Sequence, residues 1–394
     1  MTIFKTGGTG LVGTALAGAV AMASAMGFGR FVFTPILPGM MADLPLSSAE
    51  AGLIAAGNFV GYLAGAILAA YGWAAGRERL VGLLALLVSS FMLAAMGVTS
   101  SVVVFIAIRF VAGIASAFAM IFISSIVLAH AAARGSEHAQ ATHFGGVGMG
   151  IALSSLMVFV TALHGGGDPG LWRTDWLYGA GITILLLLFV WRYLPHAPHI
   201  PSGVVREPPL VWRLPLVLVT LSYGVFGFGY VITATFIVTM ARMGDAGPTV
   251  EFLTWFLTGI AAAISLFVWR PVMLRIGLAG AYITGLLVEA AGVMSTVVLP
   301  ASMAPMIGGT ALGATFVMIT AYGLRIGRRL APESPRRALA FMTASFGVGQ
   351  IVGPLVAGWV AQATGGFTVA TVLAAVALCL CVLLVVPVYR RLAD

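Results

Sequence analysis

The sequence predicts an all-α integral membrane protein with twelve transmembrane helices arranged as two six-helix pseudo-repeats. Three observations predict this fold: an apolar composition, a series of long apolar runs, and a similarity between the two halves of the chain. Of 394 residues, 60% are hydrophobic and only 8% are charged. Soluble domains carry about 25% charged residues, so the surface of this protein must face lipid. Such a composition also excludes intrinsic disorder, which requires low hydrophobicity and high charge.

Long apolar runs divide the chain into predicted transmembrane helices. A bilayer core about 30 Å thick requires about 20 apolar residues per helical crossing. Twelve runs of this kind lie near 11–39, 48–71, 80–98, 101–131, 138–163, 174–194, 212–241, 249–270, 277–299, 302–324, 338–363 and 367–389. The runs do not alternate apolar and polar residues as membrane-spanning strands would, so they predict helices.

The basic residues predict the orientation of these helices. If the N-terminus is cytoplasmic, sixteen of the 20 Lys and Arg residues lie in inner loops and tails. Arg173 and Arg242 then lie outside, and Arg30 and Arg109 lie within the membrane. Because cytoplasmic loops carry the excess of basic residues, we expect both termini in the cytoplasm. Basic residues scattered over short loops do not form a face for nucleic acid, so we expect no nucleic-acid partner.

The two halves of the sequence echo each other across a proline-rich segment. We expect an N-terminal six-helix bundle, a cytoplasmic linker and a C-terminal six-helix bundle at 1–194, 195–211 and 212–394. The sequence GFGR at 27–30 returns as GFGY at 227–230, and GVG at 146–148 returns as GVG at 347–349. Parallel repeats of this kind build transporters whose substrate site lies between the halves near the midplane.

These features resemble the major facilitator superfamily of secondary transporters. The sequence RFVAG at 109–113 resembles that superfamily's fourth-helix signature. GFGRF at 27–31 and TPILP at 34–38 resemble a largely uncharacterised bacterial branch, the YbfB type. The resemblance implies a carrier of the bacterial inner membrane in which the first, fourth, seventh and tenth helices line a central cavity. Two departures are a 2–3 loop at 72–79 without the expected aspartate, and a fifth helix without the Gly-Pro pair of antiporters.

Two intramembrane arginines are the strongest indication of a substrate site. At 1.5 Å per residue, Arg30 and Arg109 lie at the same level, roughly 12–14 Å below the outer ends of their helices, and Asn58 shares this layer. Cavity-lining runs contain no Asp or Glu at that depth, so at least one guanidinium should lack a protein counter-ion. A guanidinium fork matches a carboxylate in two hydrogen bonds. We therefore expect a small organic anion, such as a carboxylate, at Arg30 with Asn58 and Tyr230; Arg109 has the alternative role of bracing the fourth helix against first-helix carbonyls.

Further polar residues of the cavity helices extend this predicted site. The full set of predicted substrate-binding residues is Arg30, Thr34, Asn58, Tyr62, Arg109, Tyr223, Tyr230, Thr233, Thr315 and Gln350. Each of the smaller polar residues has the alternative role of an interhelical hydrogen bond. Glu289 and His143 are candidate proton sites; the competing interpretations are a structural role for Glu289 and simple exposure to solvent for His143. The aromatic residues Phe226, Phe228 and Phe316 are interpreted as packing residues.

Glycine pairs at helical spacing predict where the halves slide against each other. They are Gly57, Gly61 and Gly65 in the second run, Gly146 and Gly150 in the fifth, and Gly349 and Gly353 in the eleventh. Small residues let helix backbones approach closely. Because the resemblance implies that the second and eleventh helices, and the fifth and eighth, meet across the halves, we expect these glycines at the seam. Tight packing without motion is the competing interpretation.

The predicted function is secondary active transport of a small organic solute by alternating access. We expect a monomer that contacts membrane lipid, binds a small-molecule substrate, and has protons as a candidate coupling ion. A proton-coupled multidrug or metabolite exporter is the main alternative, and a membrane-embedded enzyme and a signalling receptor are more distant ones. The Gly-x-Gly-x-x-Gly pattern at 8–13 lacks the surrounding βαβ unit that dinucleotide binding requires. With no catalytic, cofactor or metal motif, we do not expect an enzyme.

Overall fold

The computed structural model describes residues 10–166, 168, 170–197 and 207–393, with side chains described as far as residue 389. Every regular element in this part of the chain is helical. Lys5, Arg206 and the residues 198–206 of the predicted linker lie outside the described residues.

Thirteen helical segments build the described part of the chain. The N-terminal set comprises α1 (Leu11–Met22), a π-helix (Ala23–Phe28), α2 (Phe33–Asp43), α3 (Ser48–Ala70), α4 (Glu78–Gly97), α5 (Val102–Ala133), α6 (Glu137–His164) and α7 (Leu171–Tyr193). The C-terminal set comprises α8 (Leu214–Met243), α9 (Pro248–Val298), α10 (Ala304–Leu330), α11 (Pro335–Thr364) and α12 (Thr368–Ala393). Within the described residues, eleven continuous helical stretches are long and apolar enough to cross a membrane. The protein is therefore an all-helical, multi-pass membrane protein.

The segment α9 combines two of the predicted runs. Its 51 residues would extend about 77 Å as a straight helix, more than twice the thickness of a bilayer core. Gly277 interrupts it with a positive φ of 76°, a conformation that glycine adopts without steric cost. The helix therefore continues through residues 271–276, which separate the two predicted runs, and changes direction at the glycine.

The first predicted run is not one regular helix. After α1, the backbone widens into the π-helix Ala23–Phe28, and a turn over 29–32 precedes α2. In that turn the N–H of Thr34 donates to the carbonyl of Phe31 instead of the carbonyl of Arg30. Gly27 packs against the backbone of Gly150 on α6, in a space that a larger residue would fill. π-Helical turns often mark functional sites, and this one leaves backbone carbonyls available to side chains.

Helices of the two sets meet mainly at three places. α3 packs against α11, α6 packs against α9, and α2 packs against α8. At the last contact, the hydroxyl of Thr34 donates to the carbonyl of Ala234 over 2.7 Å. Between α6 and α9, the hydroxyl of Ser155 donates to the carbonyl of Phe252 over 2.9 Å. The expected contacts of the second helix with the eleventh, and of the fifth with the eighth, are confirmed.

The predicted glycine faces, however, do not lie at these contacts. Gly57, Gly61 and Gly65 lie against α5, Gly349 and Gly353 against α8, and Gly146 and Gly150 against α1 and the π-helix. The close contacts between the sets involve other glycines: Gly52 faces the backbone of Pro354, and Gly148 faces the backbone of Gly259. The prediction was wrong because the spacing of glycines shows which face of a helix allows a neighbour to approach closely, but it does not show which neighbour packs there.

Candidate functional site

The side chain of Arg109 binds the backbone at the turn over 29–32, which interrupts the first membrane crossing. It projects from α5, is 3% exposed, and donates through Nη1 to the carbonyl of Gly29 over 3.2 Å and through Nη2 to that of Arg30 over 2.9 Å. The amide of Asn58 on α3 donates to the carbonyl of Arg109 over 3.1 Å. Only Nε of Arg109 has no partner. The structure therefore has the bracing arrangement that the sequence analysis gave as the alternative for Arg109.

Arg30 lies one residue from these carbonyl contacts but has different surroundings. Its side chain is part of a residue that is 4% exposed, and its Nε and Nη2 atoms have no hydrogen-bond partner. Aromatic rings surround the guanidinium: its central carbon lies 4.5 Å from the ring centroid of Tyr62, 4.6 Å from Phe59 and 5.5 Å from Phe31. None of the ion pairs among the described residues includes Arg30.

The two unpartnered atoms of Arg30 form one complete edge of its guanidinium. Nε–H and one N–H of Nη2 point in the same direction and can hold both oxygens of a carboxylate. Arg242 uses this edge in the same molecule, because its Nε donates to Oε1 of Glu251 over 2.9 Å while its Nη2 donates to Oε2. Arg30 thus has a buried carboxylate-binding edge that no group among the described residues occupies.

Tyr230 contributes an aromatic row from the C-terminal set. Its hydroxyl accepts a hydrogen bond from the amide of Gln350 on α11. Its ring is parallel to those of Phe316 and Phe346 within 2°, with centroid distances of 5.9 and 5.6 Å. Phe316 also meets Phe31 edge-on at 6.2 Å. Since Phe31 contacts the Arg30 guanidinium, this row extends the aromatic surroundings of Arg30 across both sets of helices.

The other predicted substrate residues mostly make interhelical hydrogen bonds. The hydroxyl of Tyr62 contacts the sulfur of Met120 at 2.9 Å, and the hydroxyl of Tyr223 donates to the carbonyl of Thr320 over 3.1 Å. Thr34 joins α2 to α8, as described above. Thr233 is buried on α8, and its hydroxyl has no partner. The assignment of these residues to substrate binding therefore stays a prediction.

The two candidate proton sites lie in opposite sets of helices. Glu289 on α9 is fully buried; its Oε2 accepts a hydrogen bond from Thr315 on α10 over 2.8 Å, and its Oε1 has no partner. His143 on α6 is fully buried, and its Nε2 lies 2.8 Å from the hydroxyl of Ser124 on α5. Among the described residues, no three His, Cys, Asp or Glu side chains form a group that could hold a metal ion.

Sequence analysis missed most of the aromatic residues that surround Arg30. Phe59 and Phe346 were not singled out, and Phe316 was assigned to packing. A usable signal was present, because Phe59 follows Asn58 directly and Phe346 precedes Gln350 by four residues, one helical turn. Without knowledge of how the helices pack, an apolar aromatic residue in an apolar helix gives no indication that it faces a site.

Comparisons with known proteins agree with the fold. A family model described as "Uncharacterised MFS-type transporter YbfB" matches residues 22–386. A mutant of the nucleoside transporter NupG has a similar fold, with a TM-score of 0.74 at 14% identity, covering 96% of this chain and 100% of that chain. A bacterial homologue of the human lysosomal transporter Spinster, inward-facing and unoccupied, has a TM-score of 0.74 at 14% identity over 98% of each chain. At these identities the likeness shows the fold alone. The matched proteins are transporters and not enzymes.

Proposed function

Because this chain belongs to the family of MFS-type transporters represented by YbfB, we propose that it carries a small organic carboxylate across the bacterial inner membrane by alternating access. Twelve crossings form two six-helix halves, 1–194 and 212–394, joined by the cytoplasmic linker 195–211. Both termini lie in the cytoplasm, and the protein works as a monomer. The substrate binds between the halves, near the level of Arg30.

The unpartnered edge of the Arg30 guanidinium carries this proposal. A charged side chain in the middle of a membrane protein costs at least about 2.5–3.5 kcal/mol on insertion scales. The rings of Phe59 and Tyr62 offset part of this cost through cation–π attraction, which contributes roughly 0.5–2 kcal/mol. They leave Nε and Nη2 without acceptors. A substrate carboxylate supplies both acceptors and the missing negative charge, so binding is strongest for a ligand that carries this group.

The position of Arg30 relates binding to alternating access. It follows the π-helix and lies in the turn over 29–32, where the first crossing is interrupted. α2, which begins directly after this turn, contacts the C-terminal set through Thr34 and Ala234. A ligand held by Arg30 therefore acts on a segment that connects the cation to a contact between the two sets. Binding energy at this place favours rocking of one half against the other.

The test is binding and counterflow transport of organic acids by purified protein in proteoliposomes. Wild-type protein should bind and exchange carboxylates, and Arg30→Gln should abolish measurable exchange. Arg325→Gln is the matched control, since Arg325 is exposed at the cytoplasmic end of α10. Arg30→Gln protein that is folded and exchanges acids at the wild-type rate and affinity would contradict the proposal.

Glu289 favours a second candidate function, a proton-coupled multidrug or metabolite exporter. Its carboxyl is fully buried, has one hydrogen bond from Thr315 and retains an unpartnered oxygen. A carboxyl in these surroundings can exchange a proton when the halves move. Cation efflux that depends on Glu289 and survives Arg30→Gln would favour this exporter over the carboxylate carrier.

A further inference from the structure

The aromatic side chains around Arg30 differ in how much of their surface a ligand can reach. Tyr62, Phe316 and Phe346 retain partly accessible surface, whereas Phe31 and Phe59 are buried. The three accessible residues come from α3, α10 and α11, and therefore from both sets of helices. A ligand that reaches the guanidinium of Arg30 through this centre contacts aromatic surface on opposite sides.

The rings of the C-terminal set are aligned. Phe346, Tyr230 and Phe316 form a row in which neighbouring rings are parallel within 2°. Aromatic rings attract one another in offset-stacked or edge-on arrangements with centroids 4.5–7 Å apart. The row ends at Phe316, next to Phe31 and hence next to the Arg30 guanidinium. Phe316 is only partly buried, so one more planar ring can pack against it beside the cation.

The charges at this centre limit the ligand to one negative group. Arg30 has a single unpartnered guanidinium edge, and the carbonyls of Gly29 and Arg30 already occupy both Nη atoms of Arg109. The acid nearest to Phe316 in hydrogen-bond terms is Glu289 on α9, which accepts a hydrogen bond from Thr315, the residue before Phe316 on α10. A second carboxylate on the ligand would lack a cation and would be buried at a large cost.

We infer that the substrate class is a planar aromatic monocarboxylate, whose carboxylate binds Nε and Nη2 of Arg30 and whose ring stacks on Phe316. This inference rests on the proposed function, because it requires the carboxylate at Arg30. Tyr62 covers the ligand from the N-terminal set, since its ring already lies against the same guanidinium.

The experiment compares matched acids by ligand-induced stabilisation and by competition in counterflow. Benzoate, phenylacetate and indole-3-acetate are the aromatic acids (ring acids below), and cyclohexanecarboxylate and cyclohexylacetate are the saturated counterparts of the first two. Stacking adds about 0.5–1.5 kcal/mol beyond buried area, so benzoate and phenylacetate should each bind about two- to thirteenfold more tightly than the saturated counterpart. Benzamide, which lacks the charge, and phthalate, which has a second one, should each bind at least about tenfold more weakly than benzoate.

Variants locate this preference on the aromatic row. Phe316→Leu should remove the preference for ring acids and leave the affinity for cyclohexanecarboxylate within about twofold of wild type. Phe341→Leu is the matched control, because Phe341 is exposed on α11 and its ring contacts Trp212 instead of the aromatic row. The control should retain the full preference for ring acids.

The outcomes distinguish this inference from the proposed function. If saturated and ring acids bind equally tightly, or if Phe316→Leu retains the preference, the inference is overturned and the carboxylate carrier stands. If phthalate binds as tightly as benzoate, the single-charge part is overturned. If none of these acids binds to folded wild-type protein, or if Arg30→Gln leaves their binding unchanged, both the inference and the proposed function are overturned.

Discussion

Arg30 and Arg109 are two buried arginines at one level of the molecule, and their guanidinium groups have opposite surroundings. Arg109 donates two hydrogen bonds to backbone carbonyls, one of which belongs to Arg30 itself. Arg30 contacts aromatic rings and leaves Nε and Nη2 without acceptors. The break in the first crossing explains both, because it frees carbonyls for one arginine and positions the side chain of the other at the centre.

This comparison teaches that the residue type at a given depth does not decide its role. A buried cation with its hydrogen bonds satisfied stabilises the packing of α5 against the first crossing. A buried cation without acceptors opposes stability and is useful only if a ligand supplies the acceptors. Substitutions at the two positions should therefore change stability and binding in opposite ways.

The largest effect is expected for Arg109→Gln. This change removes two charge-assisted hydrogen bonds, each contributing about 1.5–3 kcal/mol, and leaves the carbonyls of Gly29 and Arg30 buried without donors. The free energy of unfolding should fall by about 3 kcal/mol or more. The measurement is the thermal unfolding midpoint in detergent, with Arg30→Gln as the control, whose midpoint should equal or exceed that of wild type. A midpoint lowered equally in both variants would remove the distinction between the two arginines.

The next effect concerns the geometry of the guanidinium edge. Arg30→Lys retains the positive charge but cannot hold both carboxylate oxygens in a planar fork. The affinity for a bound carboxylate should fall about tenfold, while the thermal midpoint stays within a few degrees of wild type. The measurement is titration calorimetry with the tightest-binding acid of the panel. Equal affinity in Arg30→Lys would indicate that a point charge suffices.

A third prediction compares the buried cation of the N-terminal set with the buried acid of the C-terminal set, and tests whether that acid, Glu289, exchanges the coupling proton. Glu289→Gln retains an acceptor for Thr315 and removes the proton-exchanging group. Proton-driven accumulation should be lost, whereas counterflow exchange at equal pH should persist. Uptake driven by an imposed pH gradient in proteoliposomes measures this. Unimpaired accumulation by Glu289→Gln would assign proton coupling to another group, with His143 as the first alternative.

The smallest effect is expected for Asn58→Leu, which affects the Arg109 brace indirectly. The amide of Asn58 makes one hydrogen bond, to the carbonyl of Arg109, and one such bond contributes about 1 kcal/mol. The thermal midpoint should fall by a few degrees, and carboxylate affinity should change less than in Arg30→Lys. A loss of affinity as large as that of Arg30→Lys would show that Asn58 contacts the ligand directly.

Much of the fold and the position of the cations were predictable from the sequence. Apolar runs of about 20 residues predicted membrane helices because lipid cannot hydrogen-bond an exposed backbone. Counting residues placed Arg30 and Arg109 at one level, and their adjacent positions in the structure confirm it. The same approach missed the break at 29–32, since an extra residue in a π-helical turn leaves no mark on an apolar run. It also misassigned the glycine faces.

By itself, the sequence determined that this chain crosses a membrane many times and that two cations lie within its apolar spans, because both statements depend only on composition and on distance along a helix. Only the tertiary structure decided which cation is satisfied and which retains an unpartnered edge. It also decided which neighbours the glycines contact and that Phe316, Tyr230 and Phe346 align beside Arg30. Those properties depend on contacts between helices far apart in the chain, and helical spacing specifies a face but not its partner.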